Sequence, residues 1–326
     1  MTTLAELEAS SPHLSGISQK YQAEVLPQLD VHEVQRKKGQ RQLIIAVLLG
    51  VLSVAVMAAG TLELIALPPM TLAGGGVITL VLAVIGFLGH HKSSRARKAA
   101  KIILAELVCG LIGLNYAESP RQTYLDWFRA LDLLPHYDRS SVEDEVSGEV
   151  EGIGFVIQEA RLEEERTRRD KDGRIQTYYV DVFRGLVGMI DFHKPFSSTT
   201  IASADKGLLN RIAGWTVPGQ RARLESPEFE KRFEVYTTDQ VEARYLLTPA
   251  FMERLIQLDR FFKGNLEFAF DNARFLFAAN HHGEWMETRG SIADLTHESY
   301  VVNIIRDVTM IHHLIDALNL DAKTKA

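Results

Sequence analysis

Two stretches of the chain run without a charged residue for about the depth of a bilayer. Residues 43–60 read LIIAVLLGVLSVAVMAAG, and residues 70–89 form a second uncharged stretch. A helix of about 20 residues is roughly 30 Å long, which matches the hydrocarbon core of a membrane. Helices of this length in a water-soluble core carry charge along one face, so both stretches read as transmembrane helices. The first starts too far from Met1, and lacks the small-residue cleavage pattern, to be a secretory signal peptide. Pro68-Pro69 suits the turn between them, because proline opens a helix and does not continue one. Glu63 falls near this end, where a carboxylate reaches water. Gly74-Gly75-Gly76 reads as a close-packing surface for the first helix or for a second copy. It is not a phosphate loop, since no Lys-Ser/Thr follows.

The flanks orient the pair. Arg36, Lys37, Lys38 and Arg41 precede the first span; Lys92, Arg95, Arg97, Lys98 and Lys101 follow the second; residues 61–69 hold no Lys or Arg. This asymmetry places both termini in the cytoplasm and the nine cations as a collar against anionic lipid. The formal charge of −6 divides into zero for residues 1–42, +3 for 43–99 and −9 for 100–326. The acidic body is expected to stand off an anionic leaflet. That balance gives no support to nucleic-acid binding. With 46% apolar and 24% charged residues the chain is neither disordered nor fibrous. The single cysteine, Cys109, excludes a disulfide scaffold.

Outside the spans the periodicity is that of an α+β protein. Ile17, Tyr21, Val25 and Leu29 recur every fourth residue, as on an amphipathic helix leading to the membrane, although Pro27 opposes a straight one. The first dozen residues are expected to be loose. Residues 102–114 are too short for a third span; Ile102, Ala105, Val108, Cys109 and Ile112 form the stripe of a separate helix buried against the domain, with a helix lying on the membrane surface as the alternative. Cys109 there is a small core residue rather than a nucleophile. Ser119-Pro120 opens a further helix bearing Tyr124, Phe128 and Leu131, and Pro135 marks its end. From residue 140 the period changes. Ile153, Phe155 and Ile157 alternate, a densely charged run over 161–174 contains Asp172-Gly173, and Tyr178, Val180 and Val182 alternate again. This is a long β-hairpin with a solvated, charged tip. Gly185 and Gly188 mark bulges or a bend. Asp239 with Glu242 has loose capping-box spacing. Thr248-Pro249 starts a helix that buries Phe251, Leu255, Leu258 and Phe262 and stops at Gly264. Leu266, Phe268 and Phe270, the turn Asp271-Asn272, then Phe275, Phe277 and Ala279 make a second hairpin. A long amphipathic helix from Val301 to Leu318 closes the chain. The expected fold is α+β: a two-helix transmembrane hairpin, then a cytoplasmic domain of antiparallel β-hairpins and amphipathic helices. The divisions are a cytoplasmic segment over 1–42, the hairpin over 43–89, a helical juxtamembrane linker over 90–139 and the domain over 140–326.

Two stretches carry a family resemblance: Phe183-Arg184-Gly185-Leu186, and residues 223–255, RLESPEFEKRFEVYTTDQVEARYLLTPAFMERL. Together they resemble an uncharacterised bacterial membrane-protein family catalogued as domain of unknown function 3137, over roughly residues 140–320. The resemblance implies a bacterial inner-membrane protein with a preceding membrane hairpin. It implies no catalytic residues.

Motifs with chemistry are sparse. His90-His91, His281-His282 and His312-His313 are adjacent pairs, which on a helix or strand do not aim at one metal. His312 and Asp316 share a helix face but would need two further ligands. The acidic runs Glu143-Asp144-Glu145 and Glu163-Glu164-Glu165 read as solvated faces. Gly152-x-Gly154 lacks the third glycine of a dinucleotide fingerprint. GxSxG, HExxH, CxxC and Walker motifs are absent. No catalytic, cofactor-binding or metal residue is therefore assigned, and no cofactor is expected. The densest alternation of charge lies over 221–255, where Arg223, Glu225, Glu230, Arg232, Glu242 and Arg244 surround an aromatic core, as on a docking surface. The expected function is a membrane-anchored interaction or scaffold module whose partner is another protein or a second copy. A membrane-tethered enzyme with an unfamiliar site, and a subunit of an oligomeric transport assembly, are the alternatives.

Overall fold

The computed structural model describes residues 3–10, 14–62, 68–171, 173–192, 194–204, 219–280, 285–286 and 294–323. Glu63, Asp172 and His281-His282 lie outside the described residues, as do the side chains of His312, His313 and Asp316. The chain forms two compact units, one of residues 1–108 with 287–304 and the other of residues 109–286 with 305–326.

The first unit is helical. Helix α1 (Leu4–Ser10) opens on a capping box. The Glu6 carboxylate accepts from Thr3 N–H at 2.9 Å, and Thr3 Oγ1 accepts from Glu6 N–H at 3.3 Å. The amino terminus is thus not loose throughout. Helix α2 (Ile17–Lys20) runs through a π-turn, Tyr21–Val25, into α3 (Leu26–Thr61). Pro27 explains the π-turn. Its ring would crowd the carbonyl four residues back, and it has no N–H to donate; the wider turn relieves both and Leu26 N–H bonds to Tyr21 O instead. The widening also matters for the buried stripe. A four-residue repeat drifts about 40° per step around an α-helix, and the π-turn takes up that drift, so Ile17, Tyr21, Val25 and Leu29 are all buried.

Helix α4 (Pro69–Leu111) is 43 residues long. The stripe at Ala105, Val108 and Cys109 therefore belongs to the second apolar helix and not to a separate one. The intervening residues, HHKSSRARKAAK over 90–101, contain neither proline nor glycine to stop the helix. It ends where Gly113 adopts φ +77° and Leu114 N–H bonds to Cys109 O at 2.8 Å.

Helices α3 and α4 pack antiparallel through small residues. A Cβ on Gly39 would lie 2.5 Å from Gly89 O, and one on Gly89 would lie 2.6 Å from Gly39 O. Two backbones approach this closely only where both side chains are missing. Further along, Ala46 meets Gly86, the Ser53 and Thr79 hydroxyls are 3.0 Å apart, and Met57 covers Gly75. Gly74 and Gly76 face open space, so the crossing rests on Gly39 and Gly89 and only one glycine of the triplet packs. Among the described residues, these two helices are long and apolar enough to cross a membrane.

Among the described residues, the second unit is built on a nine-stranded antiparallel sheet in the order β1-β2-β3-β4-β9-β8-β5-β7-β6. The strands are β1 (Asn115–Ala117), β2 (Arg139–Val150), β3 (Ile153–Arg169), β4 (Ile175–Asp191), β5 (Thr200–Ala204), β6 (Gln220–Arg221), β7 (Phe233–Thr237), β8 (Leu266–Asp271) and β9 (Arg274–Asn280). Short helices α5 (Leu125–Ala130), α6 (Pro227–Glu230) and α7 (Gln240–Leu246) accompany the longer α8 (Pro249–Phe261) and the part of α9 (Ser299–Lys323) from residue 305 on. Helix α5 starts five residues beyond Pro120, which sits in the loop.

Alternation along β8 and β9 sorts the core onto two faces. Ala269, Leu276 and Ala278 join Leu125, Phe128, Leu162 and Met189 on one. Phe268, Phe270, Phe275 and Phe277 point to the other, where Phe251 of α8 lies 5.9 Å from Phe270 and 6.2 Å from Phe275, ring centre to ring centre. Both β8 and β9 are buried on two sides. Their turn centres on Asn272 and Ala273, both at positive φ, one residue later than expected. Helix α8 has its expected caps: Thr248 Oγ1 accepts from Phe251 N–H, and Gly264, at φ +77°, donates to Asp259 O.

Gly188 is neither bulge nor bend. It pairs in register between Ile157 and Phe277, and a Cβ there would lie 2.2 Å from Phe277 Cε1. The glycine makes room for the ring; the register shift in this hairpin lies instead between Leu162 and Glu163. Gly188→Ala is expected to destabilise the domain by about 1–3 kcal/mol through overpacking, read by urea unfolding. Adding Phe277→Leu should return part of that loss; two strictly additive losses would refute the steric cause.

Candidate functional site

The most developed polar arrangement in the first unit is a buried charge cluster on α3. Glu33 and Arg36, one helical turn apart, are 5% and 2% exposed. Arg36 Nε and Nη2 each donate to a Glu33 carboxylate oxygen at 2.7 Å, and Arg36 Nη1 donates to Gln40 Oε1 at 2.8 Å. The pair also holds the segment before α9. Leu295 N–H donates to Glu33 Oε2 at 3.0 Å, Asp294 Oδ1 lies 3.4 Å from Arg36, and Lys37 Nζ is 3.2 Å from both Glu33 and Asp294. Burial by itself would raise the Glu33 carboxyl. The Arg36 guanidinium, the Leu295 N–H, and Asp294 and Lys37 outweigh it and bring the group down to about 2.

This cluster changes the expected basic collar. Arg36 is committed inside the unit and does not face outward, and Lys101 is likewise only 5% exposed. Lys37 is exposed but engaged. Lys38, Arg41, Lys92, Arg95 and Lys98 lie on the surface, with Arg97 half-buried. The signal for Glu33 was available as an i,i+3 acid–base spacing. Its tie to Asp294 was not, because the two lie 261 positions apart in the sequence.

The charged residues over 221–255 divide in the same way. Glu230 accepts from Leu224 N–H at 2.9 Å, and Arg232 Nη1 pairs at 2.9 Å with Asp259, itself buried. Glu242 does not complete a capping box. Asp239 caps α7 alone, accepting from Val241 and Glu242 N–H. The Glu242 carboxylate reaches across to accept from Ser198 N–H at 2.7 Å and Ser197 N–H at 3.0 Å, and these serines hold it below the usual carboxylate range. Arg223, Glu225 and Arg244 are exposed, and Arg244 Nη1 donates to Gln240 O on its own helix. Glu230, Arg232 and Glu242 therefore fix loops, and Arg223, Glu225 and Arg244 face outward.

The remaining candidates have structural surroundings. Burial pushes the Cys109 thiol up to about 12, which leaves it a poor nucleophile. Asp144 is buried at a β-bulge with φ +54° and accepts from the Tyr116 hydroxyl at 2.6 Å. Glu163, Glu164 and Glu165 are taken up by Arg161, Arg166 and Tyr179. Among the described residues no group of three or more His, Cys, Asp or Glu side chains could hold a metal ion. An open apolar groove of about 490 Å³ lies along the helical hairpin between Leu43 and Val54 on α3 and Thr79 and His90 on α4. Its lining has no converging polar groups for a small-molecule site.

An apolar helical hairpin and an antiparallel α+β domain define the class of protein. Residues 181–320 match the family described as "Protein of unknown function (DUF3137)". Both Phe183-Arg184-Gly185-Leu186 and residues 223–255 lie inside the match, which begins within β4 and ends within α9. It does not extend back to residue 140, so β2 and β3 stand outside it. No curated protein and no solved structure matches the chain.

Proposed function

We propose that the chain is a two-span protein of the bacterial inner membrane, with both termini cytoplasmic. The α+β domain serves as an interaction or scaffold module for another membrane protein or a second copy. One observation carries the reading. The hairpin bears large apolar side chains in the open: Leu48, Val51, Leu80 and Phe87 are each 65–67% exposed. A continuous apolar surface of that size requires a lipid or protein cover. The exposed cations Lys38, Arg41, Lys92 and Arg95 at one end of it agree with a cytoplasmic, anionic surface.

The expected result is that carbonate washing leaves the protein in the membrane pellet, and that protease outside intact spheroplasts spares the domain. Release into the supernatant, or digestion from outside, overturns the anchor or its orientation. For the module itself, crosslinking in native membranes should give a discrete higher-mass species. Recovery only as a monomer would defeat the interaction reading.

A further inference from the structure

The β3–β4 hairpin continues beyond the rest of the sheet. The last β2 pairing is Arg139 with Glu163, and the β9 pairings stop at Gly185 with Asn280. From Glu164 and Val180 outward the described residues contain no neighbouring strand, and the two-stranded ribbon reaches about 20 Å further to its turn. Isolated ribbons of this kind are marginal in water. This one is braced at its root. The Arg139 guanidinium stacks 3.4 Å over the Tyr179 ring, Tyr179 donates to Glu165, Asp138 accepts from Glu165 N–H, and Arg161 pairs with Asp181.

The tip is different. Arg168, Arg169, Lys171 and Arg174 are exposed, and their side chains make no ion pair or hydrogen bond among the described residues. Residues 166–174 carry five cations against Asp170 and Asp172, a net +3, inside a segment 100–326 whose total is −9. Beside them Ile175 is 66% and Tyr178 45% exposed. Register places Arg168 on one face of the ribbon, Arg169 with Ile175 on the other, and Lys171 and Arg174 around the turn. Cations on both faces and the end are met together by a surface approached end-on, where phosphates surround the tip and the aliphatic side chain enters among them. A flat protein face would engage one side only.

We infer that this arm docks its tip onto anionic phospholipid headgroups. The inference rests on the membrane reading above, which brings a bilayer within reach of the domain. Each basic residue near an anionic surface strengthens association roughly fivefold, so these four exposed cations act against the repulsion of the acidic body locally.

The test uses the full chain in nanodiscs, one chain per disc, made of phosphatidylcholine with or without phosphatidylglycerol. Ile175→Cys carries an environment-sensitive fluorophore; native Cys109 is buried. The expected result is a blue shift, with quenching by brominated lipid, in the phosphatidylglycerol discs alone. It is lost in 1 M salt, where the Debye length is about 3 Å, and in the variant Arg168→Gln, Arg169→Gln, Lys171→Gln, Arg174→Gln. Equal signals in both lipids, or a persistent signal in that variant, overturn the inference. A signal that appears only with two chains per disc overturns it in favour of a second copy. A chain that fails to co-elute with discs of either composition overturns the membrane reading, and the inference falls with it; co-elution without the charge-dependent signal overturns the inference alone.

Discussion

Glu33→Gln is expected to destabilise the first unit by about 3–5 kcal/mol. The reason is what the substitution leaves behind. Arg36 is 2% exposed and spends two of its donors on the Glu33 carboxylate. A neutral amide accepts at one atom only, so a full positive charge stays buried with a weaker partner. Leu295 N–H loses a charged acceptor in the same step. Hydrogen exchange at the Leu295 amide should accelerate by about a hundredfold or more, since 1.4 kcal/mol is a factor of about ten. Replacing both charges together, Glu33→Leu with Arg36→Met, should cost far less, because a buried pair exchanged for apolar side chains is often close to neutral. If the double replacement is as damaging as the single one, shape rather than charge holds this junction. Acid should act in the same direction as Glu33→Gln. The Glu33 carboxyl is held down to about 2 in the folded unit, against about 4.3 unfolded. The stabilisation it supplies is complete above the unfolded value and is lost as pH falls from about 5 towards 2. Glu33→Gln should therefore flatten the acid limb of the stability profile; an unchanged acid limb would show that other carboxylates set it.

Phe270→Ala is expected to cost the second unit about 3–5 kcal/mol. The ring is fully buried and lies 5.0 Å from Phe192, 5.3 Å from Phe275 and 5.9 Å from Phe251, centre to centre. It therefore joins strand β8, strand β9, helix α8 and the loop after β4. Removing it loses the transfer free energy of the ring and opens a cavity whose walls are themselves held in the sheet. Phe270→Leu keeps most of the volume and should lose distinctly less. Urea unfolding of the three proteins checks this; equal stability of Phe270→Ala and the parent would mean that the aromatic layer is not the core of the unit.

Much of this architecture is readable along the chain. Apolar length marked the helical hairpin, and alternation marked β3, β4, β8 and β9, because both depend on spacings of two to four residues. The Thr3-x-x-Glu6 box is equally local, and it orders residues whose terminal position alone predicts looseness. The continuity of α4 through residue 111 is not marked by composition, which changes at residue 89 as at a boundary, while residues 90–101 hold neither proline nor glycine and the helix runs on. The candidate docking residues were legible as charges and not as partners.

What the sequence alone determined are the features set by neighbours in the chain: the two apolar spans, the alternating strands of the two hairpins, the caps of α8 at Thr248 and Gly264 and how charge is distributed along the polypeptide. The tertiary structure decided which of those charges are free. Arg36 and Lys38 are alike in sequence, yet Glu33 and a segment more than 250 residues away bury the first, while the second stays exposed. The same holds for Gly188, whose purpose appears only when Phe277 is brought across the sheet from 89 positions away. Long-range pairing carries no period in the sequence, so the sheet order, the buried ion cluster and the unsupported basic arm emerge only when the strands and helices meet.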